Sequence, residues 1–195
     1  GIACCLLMVL FVRHEWSYDR FHEASDRLYR AWGKEHWGEG QDFFYTNTQY
    51  VLGPTLRANL PEVEHAVRVM AFENLVGPEE HRFTERIHLV DSAFFDVFSF
   101  ELLAGDPATA LRSPGSVVLT PALAEKYFPG EDPVGKILPL QVTDAPQPFT
   151  VTGVAAAPPA ASSIRYELLI PFAHIRERAS EQGLQSWTTI GPETY

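Results

Sequence analysis

The sequence contains little cysteine. Cys4 and Cys5 are the two cysteines among its 195 residues, and adjacent residues are poorly placed to form a disulfide bridge with each other. The chain beyond Cys5 therefore has neither a structural disulfide nor a thiolate metal site. A composition of this kind is compatible with an oxidising compartment.

Positive charge is also scarce. The chain has 15 Lys and Arg against 25 Asp and Glu, which gives a formal net charge of −10. An anionic surface repels phosphate backbones and anionic lipid headgroups, so we predict that nucleic acid is not a partner. With 46% hydrophobic and 21% charged residues, the composition is that of a folded domain rather than a disordered segment.

Long hydrophobic runs are limited to one, at the start of the sequence. It lies between Gly1 and Val12, contains no charged residue and is ended by Arg13. As a helix it would span about 18 Å, roughly half of a ~30 Å hydrocarbon core. Neither the basic segment nor the cleavage site of a signal peptide accompanies it. We interpret residues 1–12 as the end of a transmembrane helix that the sequence enters partway, with a buried terminal helix as the alternative.

A phosphate-binding motif is present in spacing only. Residues 130–136 match G-x-x-x-x-G-K, but such a loop needs a hydroxyl after the lysine and backbone N–H groups that converge on phosphate. Ile137 stands where the hydroxyl is required, and Pro133 removes an N–H. Glu131 and Asp132 place negative charge where phosphate would bind. The sequence therefore predicts an ordinary turn here.

Catalytic and metal-binding patterns are lacking as well. The densest group of potential metal ligands is His14, Asp19, His22 and Glu23. Their spacing neither matches His-Glu-x-x-His nor places them on one helical face, so we interpret them as a solvated segment at the membrane interface. Ser116 lacks the Gly-x-Ser-x-Gly elbow of a nucleophile. We predict no catalytic, cofactor-binding or metal-binding residue and no cofactor.

Hydrophobic periodicity predicts a β-α-β unit in the first third of the sequence. Alternation of apolar and polar residues predicts strands at 28–34 and 65–71. A Gly-rich loop and a helix at 48–60 separate them. One of the polar residues 46–48 would cap this helix, and Pro61 would end it.

The rest of the sequence predicts short elements and an α+β fold class. Alternation makes 82–90 a half-buried strand, with Phe83, Ile87 and Leu89 on the buried face and Arg82, Thr84, Arg86 and His88 on the exposed face. Residues 155–163 (AAAPPAASS) are either a flexible linker or an extended crossover. The other predicted elements are helices at 93–98 (capped by Asp91 or Ser92), 121–127 (capped by Thr120) and 171–182, and strands at 117–119, 136–142, 149–154, 166–170 and 186–190.

An ordered set of sequence blocks resembles the periplasmic region of MacB/FtsX-type ABC transporter permeases. The blocks are SYDRFH at 17–22, DRLYR at 26–30, FFDVFSF at 94–100, LAGDPA at 103–108, SVVLT at 116–120, KYF at 126–128, DPVGK at 132–136 and VTGV at 151–154. The resemblance implies a MacB-like periplasmic core domain at 13–195, truncated at its C-terminus. In it, the porter-like halves 27–75 and 164–195 are interrupted by a mostly-β subdomain at 80–157.

The resemblance also implies a function. Permeases of this family have four transmembrane helices, work with a cytoplasmic ABC ATPase and usually form homo- or heterodimers. The chain would then lie mainly in the periplasm, attached to the bacterial inner membrane, and would transmit ATP-driven motion to a periplasmic substrate or accessory protein. It would not itself be an enzyme. A membrane-tethered sensor or ligand-binding module without transport is the alternative, whereas a secreted hydrolase would need a convergent polar site that the sequence does not supply.

Overall fold

The computed structural model describes residues 1–37, 40–46, 48–142 and 145–175. The helices are α1 (Ile2–Glu15), α2 (Leu52–Asn59), α3 (Phe94–Val97) and α4 (Pro121–Tyr127). The strands are β1 (Gly33–Trp37), β2 (Gln41–Tyr45), β3 (Val69–Val76), β4 (Phe83–Val90), β5 (Leu102–Gly105), β6 (Ser116–Leu119), β7 (Ile137–Leu140), β8 (Gln147–Ala155) and β9 (Leu168–Pro171). A short 3₁₀ helix, Glu79–His81, precedes β4.

The main sheet closes on itself. Its seven strands have the order β5-β8-β6-β9-β4-β3-β7, and β7 also pairs with β8. This is possible because one edge of β8 pairs with β7 at 147–150 and with β5 at 153–155, while its other edge pairs with β6. All strands of the sheet except β5 therefore form a ring. The pairing of Val76 in β3 with Leu140 in β7 closes it.

The inside of this ring is an apolar core. Successive strand residues point to opposite faces, so Val117 and Leu119 of β6 belong to the inner core while Val118 belongs to an outer one. β9 shows the same alternation, with Leu169 in the outer core. Both faces of these strands are buried, which explains why they read as continuous apolar runs. Other inner-core residues are Val76, Ile87, Leu89, Leu138, Leu140, Phe149, Val151, Leu168 and Ile170.

The outer core is rich in aromatic rings. Phe94 of α3 stacks on Phe100 with 5.4 Å between the ring centroids, and Tyr166 meets Phe100 edge to face at 5.0 Å. The Tyr166 hydroxyl donates a hydrogen bond to the carbonyl of Ala156 at 2.8 Å. Such ring pairs contribute about 0.5–1.5 kcal/mol beyond the burial of their area. We call Phe94, Phe98, Phe100 and Tyr166 the aromatic cluster.

Most elements predicted beyond residue 80 are confirmed. The predicted strands correspond to β4, β6, β7, β8 and β9, and the helix after Thr120 is α4 with Pro121 in its first turn. The positions predicted for Phe83 and His88 are wrong, because Phe83 is 38% exposed and His88 only 4%. Alternation signals a strand with one buried face, whereas the last residues of β4 are buried on both faces.

Three predictions about helix caps and strand limits in the first part of the chain are wrong. The predicted strand at 28–34 starts only at Gly33, as β1, which pairs with β2 in antiparallel orientation. α2 begins at Leu52 rather than at residue 48, because Pro54 has no N–H and is tolerated only in the first turn of a helix. No side chain caps it. Residue 47, one of the proposed caps, lies outside the described residues, and the strand at 65–71 is displaced to β3.

The predicted caps of the later helices also need correction. α3 has Ala93 at its N-cap and no side-chain cap bond, because the carboxylate of Asp91 is bonded to Arg68 instead. Thr120 does occupy the N-cap of α4, but its hydroxyl makes no cap hydrogen bond. Residues that favour a cap position therefore mark the start of a helix without always bonding to it.

The α+β class is confirmed, but the β-α-β layer is not formed by the described residues. β1 and β2 make a separate two-stranded sheet, while β3 joins the closed sheet. Strands from 27–75, 80–157 and 164–175 all share that closed sheet. The division into porter-like halves and an inserted subdomain stays a prediction. The helix predicted at 171–182 begins later than expected, because Pro171 still belongs to β9 and helical residues start at 173. Its part beyond residue 175 and the predicted strand at 186–190 lie outside the described residues.

Helix α1 exposes its apolar side chains. None of its residues is buried, and large side chains on several sides are accessible, from Ile2 (81% exposed) to Phe11 (62%). The helix has 14 residues, or about 21 Å of length. Among the described residues, no helix combines the length and the apolar character that crossing a bilayer requires.

Candidate coupling site between α1 and the closed sheet

The chain leaves α1 through a series of tight turns. The helix ends where the N–H of Trp16 donates to the carbonyl of Val12 at 2.9 Å, and the Ser17 hydroxyl donates to the carbonyl of His14 at 2.6 Å. Asp19 then adopts a left-handed backbone conformation with φ of 58°. Asp is one of the few residues other than Gly that tolerate this region. The turn at Asp19 redirects the chain onto the surface of the closed sheet.

Asp19 is bonded to a distant segment of the chain. Its N–H donates to the carbonyl of Ala161 at 2.8 Å, and its Oδ1 accepts the N–H of Ser163 at 2.8 Å. Both partners lie in the stretch 155–163, which leads from β8 towards β9. Two backbone groups of this connection are therefore held by one residue that follows α1, and the stretch is an ordered crossover rather than a flexible linker.

His22 makes the second attachment. Its side chain is 3% exposed, and its Nδ1 accepts the N–H of Ser99 at 3.1 Å. The imidazole packs against Phe98 and Phe100 of the aromatic cluster, with centroid distances of 5.2 and 5.1 Å. Next to it, the N–H of Glu23 donates to the Ser99 hydroxyl oxygen at 2.9 Å. We call Asp19, His22 and these partners the coupling site.

Burial decides the protonation of His22. Removal of the imidazole from water lowers its pKa, an effect that the charge of nearby Asp19 partly opposes. Because Nδ1 accepts a hydrogen bond, the proton of the neutral ring lies on Nε2. A second proton on Nδ1 would turn the acceptor into a donor facing the N–H of Ser99. The neutral ring is thus the form that holds the coupling site together.

The fold separates the residues that formed the densest group of potential metal ligands in the sequence. Asp19 and His22 bond to the backbone, while His14 is exposed and packs its ring on Tyr18 at 5.4 Å. Within the described ranges, no group of three His, Cys, Asp or Glu side chains could hold a metal ion. The interpretation of this stretch as a solvated segment is wrong for His22, since it is buried. The apolar neighbour Phe21 is a sequence signal that His22 could be packed, but nothing local indicated that Asp19 would bond to Ser163, which lies 144 positions from it.

The other sequence candidates have structural roles. Residues 130–136 form a turn, with positive φ at Gly130 and Gly135 and a bond from the N–H of Val134 to Asp132 Oδ1 at 3.0 Å. The hydroxyl of Ser116 is buried and donates to the carbonyl of Ser113 at 2.7 Å. A hydroxyl held in this way is not placed to attack a substrate.

Known proteins resemble this chain in sequence and in fold. The profile of the MacB-like periplasmic core domain matches residues 1–191. A domain of a candidate permease protein from Porphyromonas gingivalis is similar, with 25% sequence identity and a TM-score of 0.63 over 83% of this chain and 66% of that one. The periplasmic region of MacB from Actinobacillus actinomycetemcomitans is similar in fold, with 20% identity and a TM-score of 0.52 over 69% of this chain and 59% of that one. The chain therefore spans less than two thirds of either structure, and no curated protein matches it.

Proposed function

Since this chain belongs to the family of MacB-like periplasmic core domains, a family of periplasmic permease domains, we propose that it transmits motion of α1 to the closed sheet. In this proposal, α1 lies in the bacterial inner membrane and the closed sheet lies in the periplasm. A cytoplasmic ABC ATPase supplies the motion, and a second permease subunit completes a dimer. The closed sheet then acts on a periplasmic substrate or accessory protein by moving rather than by chemistry.

The exposure of α1 supports its place in lipid. Large apolar side chains of this helix are open to solvent, and none of its residues packs into the domain. Each contributes about 1.5–3 kcal/mol when it is removed from water. A surface with a net charge of −10 is repelled by anionic headgroups. Attraction to the membrane therefore has to come from α1.

The observation that carries the proposal is the double attachment directly after α1. Asp19 is bonded to the crossover that precedes β9, and His22 is bonded between α3 and β5. A tilt of α1 would move both attachments together. Since the rings around His22 are packed, displacement passes to the aromatic cluster and to the strands beneath it instead of being lost in a loose linker.

The test uses the complete permease with its ATPase in lipid nanodiscs. Spin labels at position 125, an exposed residue of α4, report the distance between the two subunits with and without ATP. We expect an ATP-dependent distance change that Asp19→Ala combined with His22→Ala reduces to less than half, while ATP hydrolysis continues. Asp26→Ala, an exposed carboxylate in the same segment, is the matched control.

Two results would argue against the proposal. If the double variant shows the same distance change as the parent, the coupling site does not transmit motion. If labels move on addition of a periplasmic ligand and not on addition of ATP, the protein is a tethered sensor rather than part of a transporter. The place of α1 in lipid is tested separately by flotation of the 195-residue chain with neutral phosphatidylcholine vesicles. Leu6→Gln combined with Leu10→Gln should abolish this flotation.

A further inference from the structure

An open cleft lies between α2 and the loop that joins β4 to α3. It consists of two adjoining cavities of about 460 and 210 Å³ that share Arg57, Ser92 and Ala93. The larger cavity extends to Arg68, and the smaller one to Arg112. The two cavities therefore adjoin, and we call them together the arginine cleft. It contains neither Asp19 nor His22 and so is separate from the coupling site.

One arginine of the cleft is a fixed part of its wall. The Arg68 guanidinium donates to both oxygens of Asp91, at 2.9 and 2.5 Å, and to the carbonyl of Tyr50 at 3.0 Å. It also lies over the ring of Phe172 at 4.5 Å. Its charge is therefore neutralised by Asp91, and its orientation is set by three partners, which lie just before α2, just after β4 and just after β9. Arg68 shapes the cleft without being available to a ligand.

The two other arginines are available. Arg57 and Arg112 are exposed, and among the described residues neither side chain lies within ion-pair distance of a carboxylate. Asp96 is the one other charged acidic side chain on the lining of either cavity besides Asp91. Arg68 and Asp91 neutralise each other, so the charged groups that remain on the lining are the guanidinium groups of Arg57 and Arg112 and the carboxylate of Asp96. The cleft is locally cationic on a protein whose net charge is −10.

The floor of the cleft suits an extended chain. It is lined by small residues, including Gly53, Ala58, Ala66 and Ala93. Gly53 lies beside Arg68 and Ala66, since a Cβ at this position would be 3.4 Å from Cγ of Arg68 and 3.7 Å from Cβ of Ala66. Small side chains leave the space that the backbone of a bound segment needs. The open shape is that of a groove rather than of an enclosed pocket for a small molecule.

We propose that the arginine cleft binds a short acidic peptide segment of a partner protein, through ion pairs of its carboxylates with Arg57 and Arg112. Guanidinium groups bind carboxylates through two parallel hydrogen bonds, which gives direction as well as attraction. The anionic remainder of the surface repels large polyanions and anionic membranes, and so it selects a ligand whose negative charge is confined to a few residues. This inference does not depend on the proposed motion of α1.

The experiment measures the binding of a dye-labelled hexaglutamate peptide to the full chain in neutral detergent, by fluorescence anisotropy. We expect Arg57→Gln and Arg112→Gln each to weaken binding about tenfold, which corresponds to ~1.4 kcal/mol. The charge reversal Arg112→Glu should weaken it further. Arg30→Gln changes an exposed arginine outside the cleft and should leave the affinity unchanged. Arg30, Arg57 and Arg112 are all exposed, so these substitutions should leave the fold intact. Thermal unfolding of each variant verifies this.

Three outcomes would overturn the proposal. The first is equal weakening by Arg30→Gln, which would indicate attraction to arginine in general. The second is unchanged affinity in Arg57→Gln combined with Arg112→Gln. The third is complete displacement of the peptide by inorganic phosphate at a matched concentration of negative charge, because the cleft would then be a site for small anions. A hexaglutamine peptide, which has the same length without charge, should not bind.

Discussion

Tyr127 donates its hydroxyl hydrogen to Glu85 Oε1 at 2.8 Å, and Lys126 Nζ lies 2.6 Å from the same oxygen. The carboxylate of a buried β4 residue thus receives two donors from the last turn of α4. Burial, with the neighbouring carboxylate adding to it, raises the pKa of Tyr127 far above its ordinary value. The phenol therefore stays protonated and remains a donor at neutral pH.

Removal of this donor should loosen α4. We expect Tyr127→Phe to lower the free energy of unfolding by about 1–2 kcal/mol, because a buried carboxylate loses one of its hydrogen bonds. Tyr29→Phe is the matched control, since its side chain is 89% exposed. Urea unfolding followed by tryptophan fluorescence measures both. Equal stability of Tyr127→Phe and the parent would mean that Lys126 alone satisfies Glu85.

Acid should destabilise the fold through His88. Burial, assisted by the charge of Arg86, lowers the pKa of His88 to about 4, while an unfolded histidine titrates near 6.5. The unfolded state therefore gains its proton first as the pH falls. The contribution of the neutral ring to the free energy of unfolding is complete above about pH 6.5. It decreases as the pH falls below this value and is lost at about pH 4, a total decrease of up to about 3 kcal/mol.

The measurement is the free energy of unfolding between pH 7 and pH 5. His88→Gln cannot take up the proton, so its stability should decrease less steeply over this range than that of the parent. His65→Gln, an exposed histidine, should retain the slope of the parent. Identical slopes for all three proteins would show that another group causes the acid sensitivity.

Loss of the hydrogen bond from Ser163 to Asp19 and loss of the Asp19 charge should affect stability differently. Asp19→Asn retains an oxygen acceptor and a residue that tolerates positive φ, so we expect little change in the free energy of unfolding. Asp19→Ala loses the acceptor and is strained at φ of 58°, and should cost about 1–2 kcal/mol.

Amide hydrogen exchange of Ser163 reports this directly. Its N–H should be protected in the parent and in Asp19→Asn, and should exchange faster in Asp19→Ala. Ala161 accepts from the backbone of Asp19, which every variant retains, so the crossover should not detach completely. Faster exchange in Asp19→Asn than in Asp19→Ala would contradict this account.

Local patterns predicted the elements well where strand periodicity and turn residues agree. Thr120 followed by Pro121 marked the start of α4, and Ile87 and Leu89 marked the buried face of β4. His88 was misplaced because its burial depends on elements that pack on the outer face of β4, and alternation contains no information about them. The strand expected at 28–34 failed for a similar reason, since pairing with β2 determines where β1 begins.

The candidate sites were less accessible to sequence reasoning. The family resemblance indicated a periplasmic permease domain, and the family match confirms it. The attachment of Asp19 to the crossover could not be predicted, because its partners are backbone groups far along the chain. Arg57 and Arg112 lie in different elements of the sequence, and only folding places them on one cleft.

The position of β9 governs the order in which the ring can assemble. β3 with β4 and β7 with β8 are neighbours in the chain and can pair early, whereas β9 inserts between β4 and β6 and is made last among these strands. Until it arrives, β4 and β6 each present an unpaired row of backbone groups, the kind of edge at which chains aggregate. A chain that stops before Leu168 would leave both of these edges open, and we expect it to aggregate more readily than the full chain.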